Sequence, residues 1–294
     1  MTESRPSIPR PVKRAVRQRC GFGCVVCGLP IYEYEHVLGW ANVRRHREDE
    51  IVLLCPLHHA ERTKGLLTNE TFNVASESPF NLRGGVTAPY ALQFSGKEYL
   101  FDVGTIRFSG SLDSDGTFVQ PVRIDGTSIL GVRLEDSHFL LNLYVASESG
   151  QIVLAIIDNE LIFSSWVWDA EFVGRRIIVR EGHGKILIDL EFNSPGGLRI
   201  RRGRLLWNGI ELMITERWSA VLNNRALLSD ISVVGCTAGL VLGSERLQMG
   251  AAFRMEGIQR RGWNRAEAVR WVKEAAINSG LGELNELSGI DGSK

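Results

Sequence analysis

The chain has 294 residues, enough for two domains, and its 44% share of hydrophobic residues is ordinary for a globular protein. Its formal net charge is zero. A run of about 18 apolar residues, as a membrane span requires, is absent, and the polar, proline-bearing first residues lack the apolar core of a signal peptide. We therefore expect a cytoplasmic protein without a membrane partner, in a reducing compartment where paired cysteines more often bind metal than form disulfides.

The charge is uneven along the chain. Residues 1–64 carry eleven Lys and Arg against seven Asp and Glu, a net charge of +4, so the remainder carries −4. A positive N-terminal region suits contact with phosphate, although a solvated surface is the alternative for each basic group. The candidate phosphate-binding residues are Lys13, Arg14 and Arg17 on one helical face, Arg44, Arg45 and Arg47 in a loop, and Lys64.

The N-terminal elements follow from proline, glycine and apolar spacing. A proline in the first turn and Gly21 after the last residue frame the first predicted helix. Two apolar runs predict strands separated by a polar loop, and a second helix ends at Gly65. In chain order the prediction is a helix at 11–19, a strand at 31–37, a loop at 38–50, a strand at Ile51–Leu54 and a helix at about 58–64.

Two ligand pairs have the spacing of a zinc site. Cys24 and Cys27 are separated by two residues, and so are Cys55 and His58. This gap lets both members of a pair turn toward one ion, and zinc in structural sites takes four Cys or His ligands in a tetrahedron. A disulfide or buried free thiols are the alternatives, and Cys20 is an alternative ligand to Cys24, although its spacing is wider. The sequence therefore predicts a Cys3His zinc site.

An acidic residue and histidines accompany the zinc ligands. Glu35 and His36 are adjacent on a predicted strand, so their side chains point to opposite faces. His59 follows the ligand His58 directly, and neighbours on a helix differ by about 100° around its axis. A near-neutral histidine can take a proton from water, and a carboxylate with an imidazole can hold a divalent cation. Lys64 lies further along the same helix, within reach of a phosphate.

As a set, these residues resemble the HNH nucleases, a zinc-stapled branch of the ββα-metal endonucleases, over residues 10–68. The resemblance implies a ββα fold, hydrolysis of DNA and His36 as the general base. It implies that Glu35 and His59 bind the catalytic cation, Mg2+ or Mn2+ in the first instance. Carboxylate and imidazole also suit Ni2+ and Zn2+, so the sequence leaves the identity of that cation open.

The chain departs from the family pattern at two positions. The fourth zinc ligand is commonly cysteine in the family and is His58 here, which zinc accepts equally. The family's middle asparagine orients the base or binds metal, and Glu50 stands at its position before the apolar strand. Asn42, six residues after His36, is the other candidate for this catalytic role. The sequence does not choose between them.

The remainder of the chain predicts a mostly β domain. Residues 69–89 are expected to form a linker or a segment draped over one domain. Residues 90–245 contain about ten short apolar runs between turn residues, which indicates an antiparallel sandwich or meander, with a β-solenoid as the alternative. Residues 246–294 are expected to be a helical segment and a tail, with Asn264 and Glu267 forming a capping box. The predicted class is α+β.

These patterns lead to two hypotheses on function. The first is a metal-dependent DNA endonuclease of HNH type, with a β domain that recognises a target, a protein partner, a signal or a second copy of the chain. By analogy with the family, such a chain suits bacterial defence. The second is a catalytically degenerate zinc module that binds nucleic acid, while the β domain carries the function.

Overall fold

The computed structural model describes residues 6–243 and 250–281, and the α+β class is confirmed. The chain divides into two compact units. Unit 1 takes in the chain up to Tyr90 and the segment Ile162–Phe172, and unit 2 takes in Ala91–Leu161 and the chain from Val173 onward. Among the described residues, no helix is both long and apolar enough to cross a bilayer.

Unit 1 is built on a two-stranded hairpin followed at once by a helix. Its strands pair antiparallel, with Glu35 opposite Val52 and His36 opposite Ile51. The predicted ββα arrangement at the N-terminal end is confirmed. The elements in chain order are α1 (Arg10–Arg19), β1 (Glu33–His36), α2 (Trp40–Val43), β2 (Ile51–Leu54), α3 (Pro56–Thr63), α4 (Asn69–Glu77) and α5 (Phe80–Gly84).

The core of unit 1 forms around β2. All four residues of this strand are completely buried, which explains why it is apolar throughout rather than alternating. Val16 and Cys20 of α1 and Phe72 of α4 belong to the same buried cluster. The hairpin therefore has a packed apolar support on which metal ligands can be held in place.

Two segments are more structured than the sequence predicts. The loop 38–50 contains the short helix α2 and a 3-10 turn at Glu48–Glu50, because Gly39 and Arg44 adopt positive φ angles of 78° and 43° that bend the chain on either side of α2. Residues 69–89, for which we expect a linker or a draped segment, form α4 and α5 within unit 1. Thr68 caps α4 by accepting a hydrogen bond from the Thr71 amide at 3.2 Å.

The rest of the described chain is mostly strands. The strands β3, β10 and β11 lie where the chain passes between the units. In chain order the strands are β3 (Tyr90–Ala91), β4 (Glu98–Val103), β5 (Ile106–Ser111), β6 (Phe118–Ile124), β7 (Thr127–Glu135), β8 (His138–Ala146), β9 (Ile152–Ile157), β10 (Glu160–Phe163), β11 (Asp169–Val173), β12 (Arg176–Gly182), β13 (Lys185–Asn193), β14 (Gly197–Trp207), β15 (Ile210–Ile214), β16 (Ser219–Val221), β17 (Ala226–Leu228), β18 (Ser232–Val234), β19 (Ala238–Leu242) and β20 (Ala251–Met255).

One sheet of unit 2 is a meander extended at one edge. Strands β6, β7, β8 and β9 pair with their chain neighbours antiparallel. The strand β19 then adds parallel to β6, and β20 adds parallel to β19. The predicted meander is confirmed, and the solenoid alternative is wrong, because successive strands fold back as hairpins instead of stacking as parallel coils.

The second sheet of unit 2 is organised around the long strand β14. On one edge it pairs antiparallel with β13. On the other edge its first residues pair parallel with β4 and its last residues pair antiparallel with β15. The strands β16 and β17 continue from β15, β12 lies beyond β13, and β5 and β18 follow β4.

A helix, α6 (Arg265–Asn278), closes the described part of unit 2. The predicted cap is present, since the Asn264 side chain accepts a hydrogen bond from the Glu267 amide at 3.1 Å. The apolar face of α6 packs with Trp218, which is completely buried. Part of the segment before this cap, which we expect to be helical, forms β20 and pairs with β19. Residues 244–249 and the tail after residue 281 lie outside the described residues.

Candidate metal centre

The four predicted zinc ligands lie together in unit 1. Their ligand atoms are all within 4.8 Å of one another. The sulfurs of Cys27 and Cys55 are 3.8 Å apart, and His58 Nδ1 lies 3.4 Å from Cys24 Sγ and 3.1 Å from Cys55 Sγ. Cys24 and Cys55 are buried, and Cys27 and His58 are half-buried. The two local pairs therefore form one cluster.

The distances between these ligand atoms fit an ion with tetrahedral coordination. In a tetrahedral zinc site with Zn–S bonds of about 2.3 Å, two sulfur ligands lie about 3.8 Å apart. A sulfur and an imidazole nitrogen in such a site lie about 3.6 Å apart. The three distances given above match these values to within half an ångström. Three thiol groups and one imidazole form a donor set that zinc prefers. The cluster is thus suited to a metal ion such as zinc.

The thiols differ in acidity because they share hydrogen bonds. A hydrogen bond from Cys27, opposed in part by burial, lowers the pKa of the Cys24 thiol to about 5. The same hydrogen bond, together with burial, raises the pKa of Cys27 well above its usual value. Burial also raises the pKa of Cys55. At neutral pH and without metal, one of the three thiols is therefore a thiolate, which is the form that binds metal.

The knuckle that carries the first pair is held by a buried asparagine from α5. The Asn81 side chain is completely buried, and its Nδ2 donates to the carbonyl oxygens of Gly21 at 2.8 Å and Gly28 at 3.0 Å. Gly28 has a φ of 77°, and a Cβ atom there would clash with Asn81. The turn therefore requires glycine on one side and Asn81 on the other.

Cys20 is not a member of the ligand cluster. The described ligand group contains Cys24 and not Cys20. Cys20 is completely buried beside Val16 in the core of unit 1, and burial raises the pKa of its thiol to about 11. A protonated, buried thiol of this kind behaves as a small hydrophobic side chain.

A second cluster lies at the start of α3. His59 Nε2 is 3.1 Å from Glu35 Oε2, so the two predicted ligands of the catalytic cation are brought together. The other ring nitrogen of His59, Nδ1, lies 3.6 Å from Glu33 Oε2. Glu33 and Glu35 are two residues apart on β1 and share one face of the strand. The side chains in this cluster are only partly buried, so solvent reaches it.

His36 lies in a different set of contacts. It is 2% exposed, and its Nε2 is 3.3 Å from Nδ1 of His46. The His46 ring stacks on Trp40 with centroids 4.7 Å apart and planes at 23°. His46 Nε2 lies 2.8 Å from the carbonyl oxygen of Pro6. His46, which the sequence places in a run of basic residues, is thus a direct partner of His36.

The two candidates for the middle asparagine role are both engaged elsewhere. Asn42 is exposed, and its Nδ2 donates to the Leu38 carbonyl oxygen at 2.6 Å. The Glu50 carboxylate accepts from Nε of Arg45 at 3.0 and 3.1 Å. That hydrogen bond and the arginine charge hold the pKa of Glu50 below its usual value. These hydrogen bonds thus link Asn42 and Glu50 to residues other than His36.

The basic residues of α1 are tied to neighbouring side chains. The Lys13 ammonium lies 5.6 Å from the centre of the Tyr34 ring, and the Arg14 guanidinium lies 4.5 Å from that of Trp168. Arg17 is buried and forms a two-pronged ion pair with Asp169 at 2.8 and 2.7 Å. Arg17 is therefore wrong as a surface phosphate contact, because its charge is already neutralised inside unit 1.

The basic residues beyond α1 are exposed. Arg45 pairs with Glu50 and Arg47 pairs with Asp49, which offsets part of their charge. Arg44 and Lys64 are also exposed. Among the seven predicted phosphate-binding residues, Arg44 and Lys64 are thus exposed and have no ion pair within the described residues.

Three residues of these clusters escape sequence reasoning. Glu33 carries a weak signal, since it precedes Glu35 by two residues on a strand. His46 and Asn81 carry none, because their partners are ten and more than fifty residues away. Comparison with protein-family models, with curated proteins and with solved structures finds no match for this chain.

Proposed function

We propose that the chain is a metal-dependent endonuclease of HNH type that hydrolyses phosphodiester bonds in DNA. Unit 1 carries the chemistry in this proposal, with zinc in the Cys3His cluster as a structural ion. Unit 2 serves to recognise a target, a protein partner or a second copy of the chain.

One observation carries the proposal. His58 and His59 are consecutive residues, and His58 faces the cysteine cluster while His59 faces Glu35. A structural ion at the first cluster would hold the knuckle of Cys24 and Cys27 to the start of α3. The same bond would fix the direction of the neighbouring His59, because the two side chains share one helical turn. An ion in the Cys3His cluster would thus position His59, which is one member of the solvent-accessible Glu35–His59 pair.

The second pair fits a hydrated divalent cation. Ligands about 2.1 Å from an octahedral ion and adjacent to one another lie about 3.0 Å apart. Glu35 Oε2 and His59 Nε2 are 3.1 Å apart, and a carboxylate with an imidazole is a donor set that Mg2+, Mn2+ and related ions accept. When bound there, such an ion would neutralise developing charge on a phosphate.

In this proposal other residues of unit 1 have complementary roles. His36 takes a proton from the attacking water, whose oxygen bonds to phosphorus as the bond to the leaving oxygen breaks. The leaving oxygen is protonated from solvent. Glu35 and His59 would hold the cation, and the exposed side chains of Arg44 and Lys64 would supply positive charge for the DNA backbone.

A second candidate function is a zinc-dependent nucleic-acid-binding module without catalysis. Two observations favour it: His36 is 2% exposed, and the Glu50 carboxylate at the family's asparagine position is bound by Arg45. In that case unit 2 would carry the activity. Binding of DNA without cleavage, in the presence of Mg2+ or Mn2+, is the outcome that would select this candidate.

Plasmid nicking tests the proposal. Zinc-loaded protein is incubated with supercoiled plasmid and Mg2+ or Mn2+, and EDTA serves as the metal-free condition. Wild type is compared with His36→Ala and Glu35→Gln. The matched controls are His138→Ala and Glu98→Gln, which change the same residue types at exposed positions of unit 2.

We expect nicking by wild type and both controls, and loss of nicking with EDTA or with either change in unit 1. General-base removal costs about 100-fold or more in rate. Nicking that persists in His36→Ala would overturn the assignment of the base. An inactive wild type under both cations would overturn the proposed function of the isolated chain.

A further inference from the structure

The strongest unassigned feature of unit 1 is the chain of contacts from Pro6 through His46 to His36. We propose that His46 is the positioning residue for His36 and takes the orienting role that the middle asparagine has in the resembled family. This inference rests on the proposed function for the role of His36 as a base, but its geometry is independent of that role.

The first step concerns the proton on His46. The Pro6 carbonyl oxygen has only lone pairs, so the contact at 2.8 Å requires the proton to be on Nε2 of His46. A neutral imidazole carries a single N–H group. Nδ1 of a neutral His46 is therefore a hydrogen-bond acceptor.

The second step passes this constraint to His36. Nδ1 of His46 lies 3.3 Å from Nε2 of His36, so an accepting His46 calls for a proton on that His36 nitrogen. The lone pair of a neutral His36 is then on Nδ1. One imidazole thus fixes the tautomer of the other.

The third step concerns rigidity. His46 is held on one side by the Pro6 carbonyl and across its face by Trp40, at a centroid distance of 4.7 Å. Trp40 also contacts His36 edge-on, with centroids 5.2 Å apart. Since the rotations of His46 and His36 are restricted by the same indole, the pair forms a preorganised unit.

The competing candidates are engaged in other contacts. Asn42 donates to a backbone carbonyl of its own loop, and Glu50 is occupied by Arg45. His46 has a ring nitrogen at hydrogen-bonding distance from His36. The geometry therefore favours His46 over both residues that the sequence offers.

The test uses three forms of the zinc-loaded full chain: wild type, His46→Phe and His46→Asn. Phenylalanine keeps a ring to stack on Trp40 and removes the acceptor, whereas asparagine keeps an acceptor close to the position of Nδ1. Imidazole 15N chemical shifts of His36 report its tautomer without any need for catalysis. The nicking rate at saturating DNA is the second readout. The zinc content and the backbone amide NMR spectrum verify that each variant is folded.

We expect wild-type His36 to carry its proton on Nε2, a shift toward the other tautomer in His46→Phe, and recovery in His46→Asn. The nicking rate should fall about tenfold or more in His46→Phe with little change in KM, and recover in part in His46→Asn. A proton on Nδ1 of wild-type His36, or an unchanged tautomer in His46→Phe, would overturn the inference. If the wild type does not nick DNA, the proposed function fails. The tautomer of His36 still tests whether His46 positions it.

Discussion

His58 and His59 are consecutive residues at the start of α3, and their imidazole rings belong to two different clusters. Nδ1 of His58 lies 3.1 Å from the Cys55 sulfur, whereas Nε2 of His59 lies 3.1 Å from a carboxylate oxygen of Glu35. The step of about 100° between helical neighbours separates the rings. A single turn of helix therefore carries one residue of the Cys3His cluster and one residue of the Glu35–His59 pair.

Removal of metal should unfold the hairpin region of unit 1. Structural zinc contributes about 10–16 kcal/mol of apparent binding free energy in small zinc domains, which is as large as the net stability of a whole domain. We expect Cys55→Ala to lose zinc and to become sensitive to proteolysis between residues 20 and 70. Cys20→Ala is the control and should retain one zinc per chain by elemental analysis. Equal zinc content in both variants would contradict the ligand set.

Zinc binding should release about two protons from the three thiols at pH 7. In the metal-free protein, the pKa of Cys24 is lowered to about 5, so this thiol is already ionised, while Cys27 and Cys55 have raised pKa values and are protonated. As the pH falls through 5, Cys24 gains a proton, the release approaches three and zinc affinity weakens. Calorimetry in buffers of different ionisation enthalpy measures the count. A release of three at pH 7 would show that Cys24 is protonated there.

The ion pair between Arg17 and Asp169 should be important for stability. The two side chains are 6% and 5% exposed, and Arg17 also donates to the Tyr34 hydroxyl at 2.9 Å. Breaking a buried pair by removing one partner typically costs about 3–5 kcal/mol, because the other charge stays buried. Arg17→Met should therefore lower the urea midpoint strongly. Arg47→Ala, which breaks an exposed pair, should leave the midpoint unchanged, and similar effects of the two changes would contradict this account.

Asn81 should support the zinc knuckle from outside the ligand set. Its loss leaves the carbonyl oxygens of Gly21 and Gly28 without their side-chain donor, and an unsatisfied buried group costs about 1–3 kcal/mol. We expect Asn81→Ala to destabilise the protein by that amount and to release zinc faster to a competing chelator. Asn73→Ala, at an exposed position of α4, serves as the control. Identical release rates in the two variants would rule out this support.

Spacing along the chain is sufficient to predict the zinc ligand pairs, the buried strand and the helix cap. The ligand pairs at Cys24 and Cys55 each close over two intervening residues, so their geometry is set by the chain nearby. The strand Ile51–Leu54 was predictable because four apolar residues in a row indicate a strand buried on both faces. The cap at Asn264 is likewise a local pattern.

The roles of Arg17, His46 and Asn81 could not be predicted from the sequence, because they depend on partners far away along the chain or on bends of the folded chain. Arg17 is paired with a carboxylate 152 residues away, so its helical spacing could not separate a buried cation from a surface one. The place of His46 depends on the bends at Gly39 and Arg44, which are tertiary features of the loop. Asn81 lies in a segment without a strong pattern, and its importance comes from carbonyl groups 53 and 60 residues earlier.

The most direct test of the account compares His58→Cys with His59→Ala for zinc content and plasmid nicking. Zinc accepts cysteine in place of histidine, so His58→Cys should keep one zinc and keep nicking with Mg2+ or Mn2+. His59→Ala should keep the zinc and lose nicking, because Glu35 loses its partner for the catalytic cation. Loss of zinc in His59→Ala, or nicking that survives this change, would contradict the claim that the two histidines serve two different metal ions.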